Sequence, residues 1–551
     1  MAQEFRTSRR QNKRRVLPNS RELVTKWNTI TKPDMIKAHN DPHNIDWTEM
    51  PPDPKQCPDY FVGSAALRIP EDSNPRYRLY WPIQHGCLNE RDYSSRYMLL
   101  RDFFLILEES IKNELGLTRK KDWSQYSCVF IIPDLYEKVL VNAVLDELIR
   151  DFNFSRVCFQ QESVAASFGG GYSAACIVDI GAQKTSICCV EDGMCNEEAR
   201  INLKYGGYDV TETFMQMMLF DHFNYSDLNL LRRHDYLLAE ELKKKHTTLS
   251  DENITVQLQE FHLRAHGQET RKYEWKIYDE GVLAAMGIFQ PSIFNNSDKL
   301  EGRHKLIAPY HDTYDGKRTD PLSKAQLAVA AYVEKNIPSA IAAAPTKASK
   351  LLPTPFGATP SKPKHLGIPS HLNGDADGTP RSSVAGSPPP EDIGTPQPSN
   401  ADNAENGNGD IDAYATVQGA QPDTESLDRT VPLMPLDQAV LTSIHHASSI
   451  NGSVDERRRR DFLGSIMLVG GGSKTPYIRE YLEAKLRASM PQYPKEILVA
   501  PPPRELDPEV IVWKGGSVFG KLRMTNDAWI GGLEYDRLGA RILNYKCMWH
   551  W

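Results

Sequence analysis

Residues Ala175 to Val190 read as two apolar strands joined by one tight polar turn, and this hairpin restricts the chain to folds with a buried sheet. The incoming run, Ala175–Ile180, is apolar apart from Asp179, the pattern of a strand covered on both faces. The outgoing run, Thr185–Val190, is β-branched and sulfur-rich and carries no charge. A carboxylate at the end of a buried strand is costly unless it meets a metal, an N–H group or a cation, so Asp179 marks a candidate site. Gly181 lets the backbone approach a ligand closely, and the N–H groups of such a turn can cradle phosphate oxygens. An ordinary core hairpin has the same signature, so both readings stand for this turn taken alone.

A second turn of the same type follows much later. Ser465–Val469 is a buried strand by pattern, Gly470-Gly471-Gly472-Ser473-Lys474-Thr475 follows, and Pro476–Leu486 reads as an amphipathic helix. Ile478, Leu482 and Leu486 fall on one face of that helix, with Pro476 in its first turn. Strand, glycine turn and helix make a phosphate-binding geometry, because free N–H groups and the helix dipole point at the ligand. The glycine spacing is too short for a Walker A loop. Two such turns predict two related lobes facing one cleft, with Asp179 and Gly471 on opposite sides.

Paired glycine turns of this kind resemble those of the actin and sugar-kinase superfamily, and further segments carry the resemblance in the same order along the chain. Trp81-Pro82-Ile83-Gln84-His85-Gly86 is similar to the actin segment that leads into the lobe connection. Phe289-Gln290-Pro291-Ser292 and Val512-Trp513-Lys514-Gly515-Gly516-Ser517 match short actin signatures, as do Trp529-Ile530 and Glu534-Tyr535-Asp536. Cys188-Cys189-Val190-Glu191-Asp192-Gly193 and Asp507-Pro508 resemble a nuclear branch of actin-related proteins from chromatin-remodelling complexes. The resemblance covers most of 55–296 and 436–551. It implies an α/β, actin-like two-lobed fold: ribonuclease-H-like halves around a central cleft, with a long disordered insertion.

The remaining chain fits that scheme. Between about 60 and 290, strands and helices alternate, as in a sheet with helices on both faces. Arg101–Ile111 reads as a helix packed along Phe103, Leu107 and Ile111, and Ser127–Ile132 as a buried strand stopped by Pro133-Asp134. The organisation expected is a basic, partly disordered lead-in over 1–56, the first part of the fold over 57–296, a largely disordered insertion over 297–435 and the second part over 436–551. Within the insertion, 345–428 is rich in Pro, Ser, Gly, Asn, Asp and Ala and buries too little apolar area to offset its ordering entropy. Ala325–Val333 is a short helix candidate with few core-forming residues around it. Nine cysteines, none in a Cys-x-x-Cys pair, sit mostly in strand-like runs and read as buried thiols rather than a zinc site. No apolar run is long enough to span a bilayer.

The formal net charge of −7 argues against nucleic-acid binding over the whole surface but leaves local patches open. Arg9, Arg10, Lys13, Arg14 and Arg15 form a basic run that reads as a solvated tail or, with the resemblance, a nuclear localisation signal. Arg457-Arg458-Arg459-Arg460 is expected at a helix end, where it either complements the dipole in solvent or contacts DNA phosphates.

The resemblance also implies a nucleotide site. It places Asp179 and Gly181 at the phosphate and metal, with Gln183, Lys184 and Thr185 in the same turn. Gly470, Gly471, Gly472, Ser473 and Lys474 lie on the other side of the nucleotide, with Gly207 and Asp209 beside it. This sequence departs from the family in three ways. The family's first phosphate hairpin should precede residue 60, and the chain is expected to begin after it. Glu162 stands where actin carries a glutamine that orients the attacking water. Ala182-Gln183-Lys184 replaces an acid and a second glycine, so Lys184 either contacts phosphate or lies on the surface. Each lost charge-assisted hydrogen bond is worth roughly 1.5–3 kcal/mol.

Weak or absent ATP binding is therefore expected, with magnesium only if ATP binds, no catalytic residue and no metal site. The function implied is a non-catalytic subunit of a nuclear ATP-dependent chromatin-remodelling complex. Its partners would be the remodelling ATPase, actin, a second nuclear actin-related protein, and DNA or nucleosomes, with no membrane. The competing class is an ATP-binding enzyme of the same superfamily. A sugar kinase, however, needs an Asp placed to accept a hydroxyl proton, and the sequence offers none.

Overall fold

The computed structural model describes residues 19–250, 254–314, 316–338, 427–450, 452–493, 495–503 and 506–551. Its largest sheet runs in the order Val499–Ala500, Ile466–Val469, Ala174–Ile180, Thr185–Glu191, Met194–Cys195, with Ile201–Leu203 also paired to Thr185–Glu191. The first three strands are parallel, and the predicted hairpin supplies the antiparallel pair. Alternation along the central strand sends its side chains to opposite faces. Cys176, Val178 and Ile180 join a core with Phe214, Val440 and Phe462. Ala175 and Ile177 join Val164, Ala166 and Ile511 on the other face. Both faces are covered, which is why this strand carries no polar alternation.

A second, smaller sheet has Ser127–Ile132 parallel to Arg156–Gln161, with Ile530–Gly531 antiparallel at the far side. It packs on Trp123, Val141, Val144 and Tyr535. Helices Glu162–Gly170 and Ile511–Phe519 link the two sheets, and the glycines of the Trp513–Ser517 signature explain how. A Cβ on Gly515 would fall on the Ala165 carbonyl, and one on Gly169 would fall on the Ile511 carbonyl. The helices therefore touch backbone to backbone, and only glycine fits at the crossing.

Several expectations change. The polar lead-in is docked from residue 20 onward: helix Ser20–Ile30 buries Val24, and Asn28 exchanges two hydrogen bonds (3.0 and 2.7 Å) with the Lys276 backbone. The Asn28 amide thus acts as a strand partner, on the same helix face as Val24. Helix Lys324–Asn336 buries Ala325, Val329 and Val333 in the main core, so the ordered fold extends well past residue 297. Its partners, Leu436 and Val440 among them, come from beyond the insertion, which local composition does not reveal. The stretch expected to be disordered over 345–428 lies almost wholly outside the described residues. Pro476 precedes its helix instead of opening it, because Tyr477 adopts a left-handed conformation (φ 66°) and the helix starts at Ile478. Ile478, Leu482 and Leu486 do form its buried face.

Candidate functional site

The two glycine turns lie side by side on one rim of the large sheet, not across a cleft. Val469 is in register with Asp179 on the adjacent parallel strand. Gly470 has φ 83°, and a side chain there would run into the Asp179 carboxylate; one on Gly472 would meet Ile180. A strand followed by a glycine turn looks the same whether its neighbour belongs to the same sheet or another, so local sequence could not decide this. Asp179, Gly181, Gln183, Lys184 and Gly470 are nevertheless gathered at one place.

Much of the expected phosphate cradle is engaged by the protein itself. The Gly181 carbonyl accepts from the Gly207 amide (2.9 Å) and the Ala182 carbonyl from the Tyr208 amide (2.7 Å), so helix Gly207–Phe220 starts on the hairpin turn. Asp209 accepts from the Gly206 amide (2.8 Å) and pairs with buried Lys299 (2.6 Å), a structural cap. The Thr185 hydroxyl donates to the Tyr205 carbonyl (2.8 Å). Ser473 bonds back to the Gly470 carbonyl, and Lys474 turns to Asp507 (2.8 Å). The Gln183 side-chain oxygen accepts from the His85 amide (3.0 Å), which brings the Trp81–Gly86 segment over the turn.

Lys184 is neither a surface lysine nor a free phosphate ligand. Its Nζ lies 2.5 and 2.7 Å from the two oxygens of Glu162, and the pair is 18% and 12% exposed. Asp134 flanks it: its oxygens accept from the Ser163 amide (3.2 Å) and hydroxyl (2.5 Å), and its own amide donates to Glu162 (3.4 Å). Desolvation, reinforced by the Glu162 charge, pushes Asp134 up to about 6 and Asp179 up to about 7. Burial works against the Lys184 ammonium, but Glu162 and Asp179 more than offset it and raise its pKa. One ammonium thus stands among three carboxyls. Burial therefore holds Asp179 and Asp134 well above the usual carboxylate range beside the Lys184–Glu162 pair. Cys188 and Cys195 approach Asp134, with ligand atoms within 4.8 Å of one another, but burial pushes Cys188 up to about 11 and Asp134 is engaged by Ser163.

This arrangement fixes a pH dependence. Asp179 titrates higher folded than unfolded, so its contribution is present below about pH 4 and is lost as pH rises through about 7. Asp179→Asn should remove that loss and leave the variant more stable than the parent at pH 8, on the order of 2 kcal/mol. Urea titrations at pH 5 and pH 8 measure it; equal pH slopes for the two proteins would refute the assignment.

Comparison with known proteins identifies the fold. A sequence model of the Actin family matches residues 29–274 and 421–548. A probable actin-related protein 8 from Schizosaccharomyces pombe is 33% identical over 99% of this chain and 74% of its own length. The human actin-related protein 8 is 30% identical over 98% of this chain and 80% of its own. The chain belongs to the actin family, on the actin-related protein 8 branch. A solved structure of human actin-related protein Arp8 in its ATP-bound state superposes with a TM-score of 0.66 at 24% identity, covering 98% of this chain and 82% of the other. The actin-like two-lobed fold expected from the sequence is thus the fold present.

Within this actin-family frame, sequence reasoning missed Asp134, Lys299 and Lys204. Asp134 was legible: a carboxylate ending a buried strand after Pro133 has the same logic as Asp179. Residues Arg457–Arg460 open a helix instead of ending one. Asp455 caps helix Glu456–Leu463 by accepting from the Arg457 (2.9 Å) and Arg458 (3.3 Å) amides, so Arg457 and Arg458 sit at the dipole's unfavourable end, while Arg460 reaches the last turn. Arg458 pairs with Glu191, and Arg459 reaches Glu456 and His445. Arg457 and Arg460 are exposed. The basic run Arg9–Arg15 lies outside the described residues. No helix among the described residues is long and apolar enough to cross a membrane.

Proposed function

We propose that this chain is a non-catalytic actin-related subunit of a nuclear ATP-dependent chromatin-remodelling complex, assembling with actin and a second actin-related protein on a helical platform of the remodelling ATPase. Membership of the actin-related protein 8 branch supports the assembly role. The observation that carries the non-catalytic reading is the Lys184–Glu162 ion pair. Glu162 stands at the position where the family orients the attacking water, and its carboxylate is clamped by an ammonium at 2.5 Å. A carboxylate paired this closely to an ammonium is a weaker base toward water. ATP binding is weak on this reading, because the helix amides at Gly207 and Tyr208 are engaged by the hairpin. The ATP-bound state of the human relative favours a second reading, nucleotide binding without turnover.

A single-turnover ATPase assay, with the protein in excess over ATP, tests the reading; release of stoichiometric phosphate would overturn it. Reconstitution with actin, the second actin-related protein and the ATPase platform should give one stoichiometric species by size exclusion. Recovery of this chain only as a free protein would refute the assembly role.

The same reading assigns Arg457 and Arg460 to DNA phosphate. Arg457→Ala with Arg460→Ala should weaken duplex binding to a similar degree for all sequences. Neutralising two phosphate contacts fewer should flatten the slope of log affinity against log salt by about 2. An unchanged slope in salt-titrated anisotropy would remove this patch from the DNA site.

A further inference from the structure

The segment from Glu71 to Gly86 is tied down at both ends. Its later end lies on the site described above. The His85 amide donates to the Gln183 side chain (3.0 Å), and Gly86, at φ 70°, runs so close to Lys184 that a Cβ there would stand 3.0 Å from the lysine side chain. Between the ends, the Trp81 ring lies 6.3 Å from that of Tyr236, and Tyr236 lies 6.4 Å from Tyr208, whose amide holds the hairpin turn. At the earlier end, two consecutive acids meet two histidines on different elements. Glu71 meets Nδ1 of His234 (3.1 Å), in the first turn of helix Arg233–His246. Asp72 meets Nδ1 of His266 (2.9 Å), in the turn between strands Gln257–Leu263 and Thr270–Ile277. Arg233 adds a hydrogen bond to the Tyr77 carbonyl (2.7 Å).

His234 stands between two carboxylates. Its Nε2 lies 3.3 Å from Asp235, which is buried and fixed by the Tyr225 hydroxyl (2.9 Å), the Asn229 amide (2.8 Å) and Arg232 (2.8 Å). A neutral imidazole has one N–H, so it serves one carboxylate and turns a lone pair toward the other. Protonation gives both contacts a donor. Arg232 is taken up by Asp235 and Asp227, and His266 faces the edge of the Trp47 ring besides Asp72. Arg264, two residues before His266, pairs with Glu241. Imidazole is the side chain whose ordinary charge change falls between pH 5 and 8. His85, on the segment itself, is pushed down to about 4 by burial and stays neutral across that range.

We propose that Glu71–Gly86 is a strap over the Lys184–Glu162 site, held down while His234 and His266 carry protons and released when they lose them. The closed strap holds protons that the released strap gives up, so acid closes it and alkali opens it. Opening withdraws the His85 amide from Gln183 and Gly86 from Lys184, and it admits solvent to the ion pair.

Hydrogen exchange of the full chain at pH 6 and pH 8, corrected for the intrinsic rate, reads the strap through residues 76–88. Exchange there should be about tenfold faster at pH 8. His234→Gln combined with His266→Gln should exchange fast at both values. His234→Arg keeps a cation between Glu71 and Asp235 at either pH, so its exchange should stay slow at pH 8. Equal corrected rates in the parent would overturn the proposal, and so would a pH difference that survives in the double glutamine variant. Asp179, beside Lys184, is held up to about 7 and titrates in the same range. The pH difference should therefore persist in Asp179→Asn; its loss there would assign the opening to Asp179 and overturn the histidine latch.

Discussion

Lys184→Met should destabilise the folded chain by about 3 kcal/mol at pH 7, one of the two largest single-residue effects expected in this protein. The substitution keeps most of the side-chain volume and removes the one ammonium within bonding distance of Glu162. Three carboxyls would then share a desolvated site without a cation. The sign with pH follows. In the variant the cheapest relief is protonation of the cluster, so stability should recover as pH falls from 8 to 5. Pairing it with Glu162→Gln should restore most of the loss at pH 7, because neither charge is then left unpaired. Denaturant melts of the parent, both single variants and the double variant measure the coupling. Additive single effects would show that Lys184 and Glu162 do not act as a pair.

Gly515→Ala should cost about 3 kcal/mol or more, and it tests how the two sheets are joined. The added methyl has no flexible neighbour to displace. It meets the Ala165 carbonyl and the Gly169 backbone of the facing helix, so the helices must separate along their length. Gly516→Ala meets the end of the Ile131 side chain, which can rotate away, and should cost less. A thermal melt of each variant separates the two cases. Equal, small shifts in melting temperature would mean that the helix crossing is looser than the backbone contact indicates.

Much of the fold was legible because its signals are local. The buried hairpin at Ala174–Glu191 and the helix face of Ile478, Leu482 and Leu486 follow from side-chain period alone. The Trp513–Ser517 signature pointed to the family, although its physical reason, glycine at a helix crossing, shows only when the opposing Ala165 carbonyl is in view. The site was legible by residue but not by arrangement. Asp179, Gly181, Lys184 and Gly470 were singled out by residue, but the Gly470 turn was expected across a cleft and instead lies beside the Asp179 turn on one rim. Helix Lys324–Asn336 was undervalued because its core partners lie beyond the insertion in sequence.

The amino-acid sequence by itself determined the α/β class, the strands and turns that form the rim, and the branch of the family. Each depends on residue type at short spacing, which chain order records directly. Tertiary structure alone decided that the two glycine turns are neighbours in one sheet, that Lys184 turns inward to Glu162, and that Ser127–Ile132 is left as an edge. These depend on which distant segments share a sheet and on where a desolvated charge finds its partner. Both are set by the packing of the whole chain, where a buried ammonium is stable only beside the carboxyls that the fold brings to it.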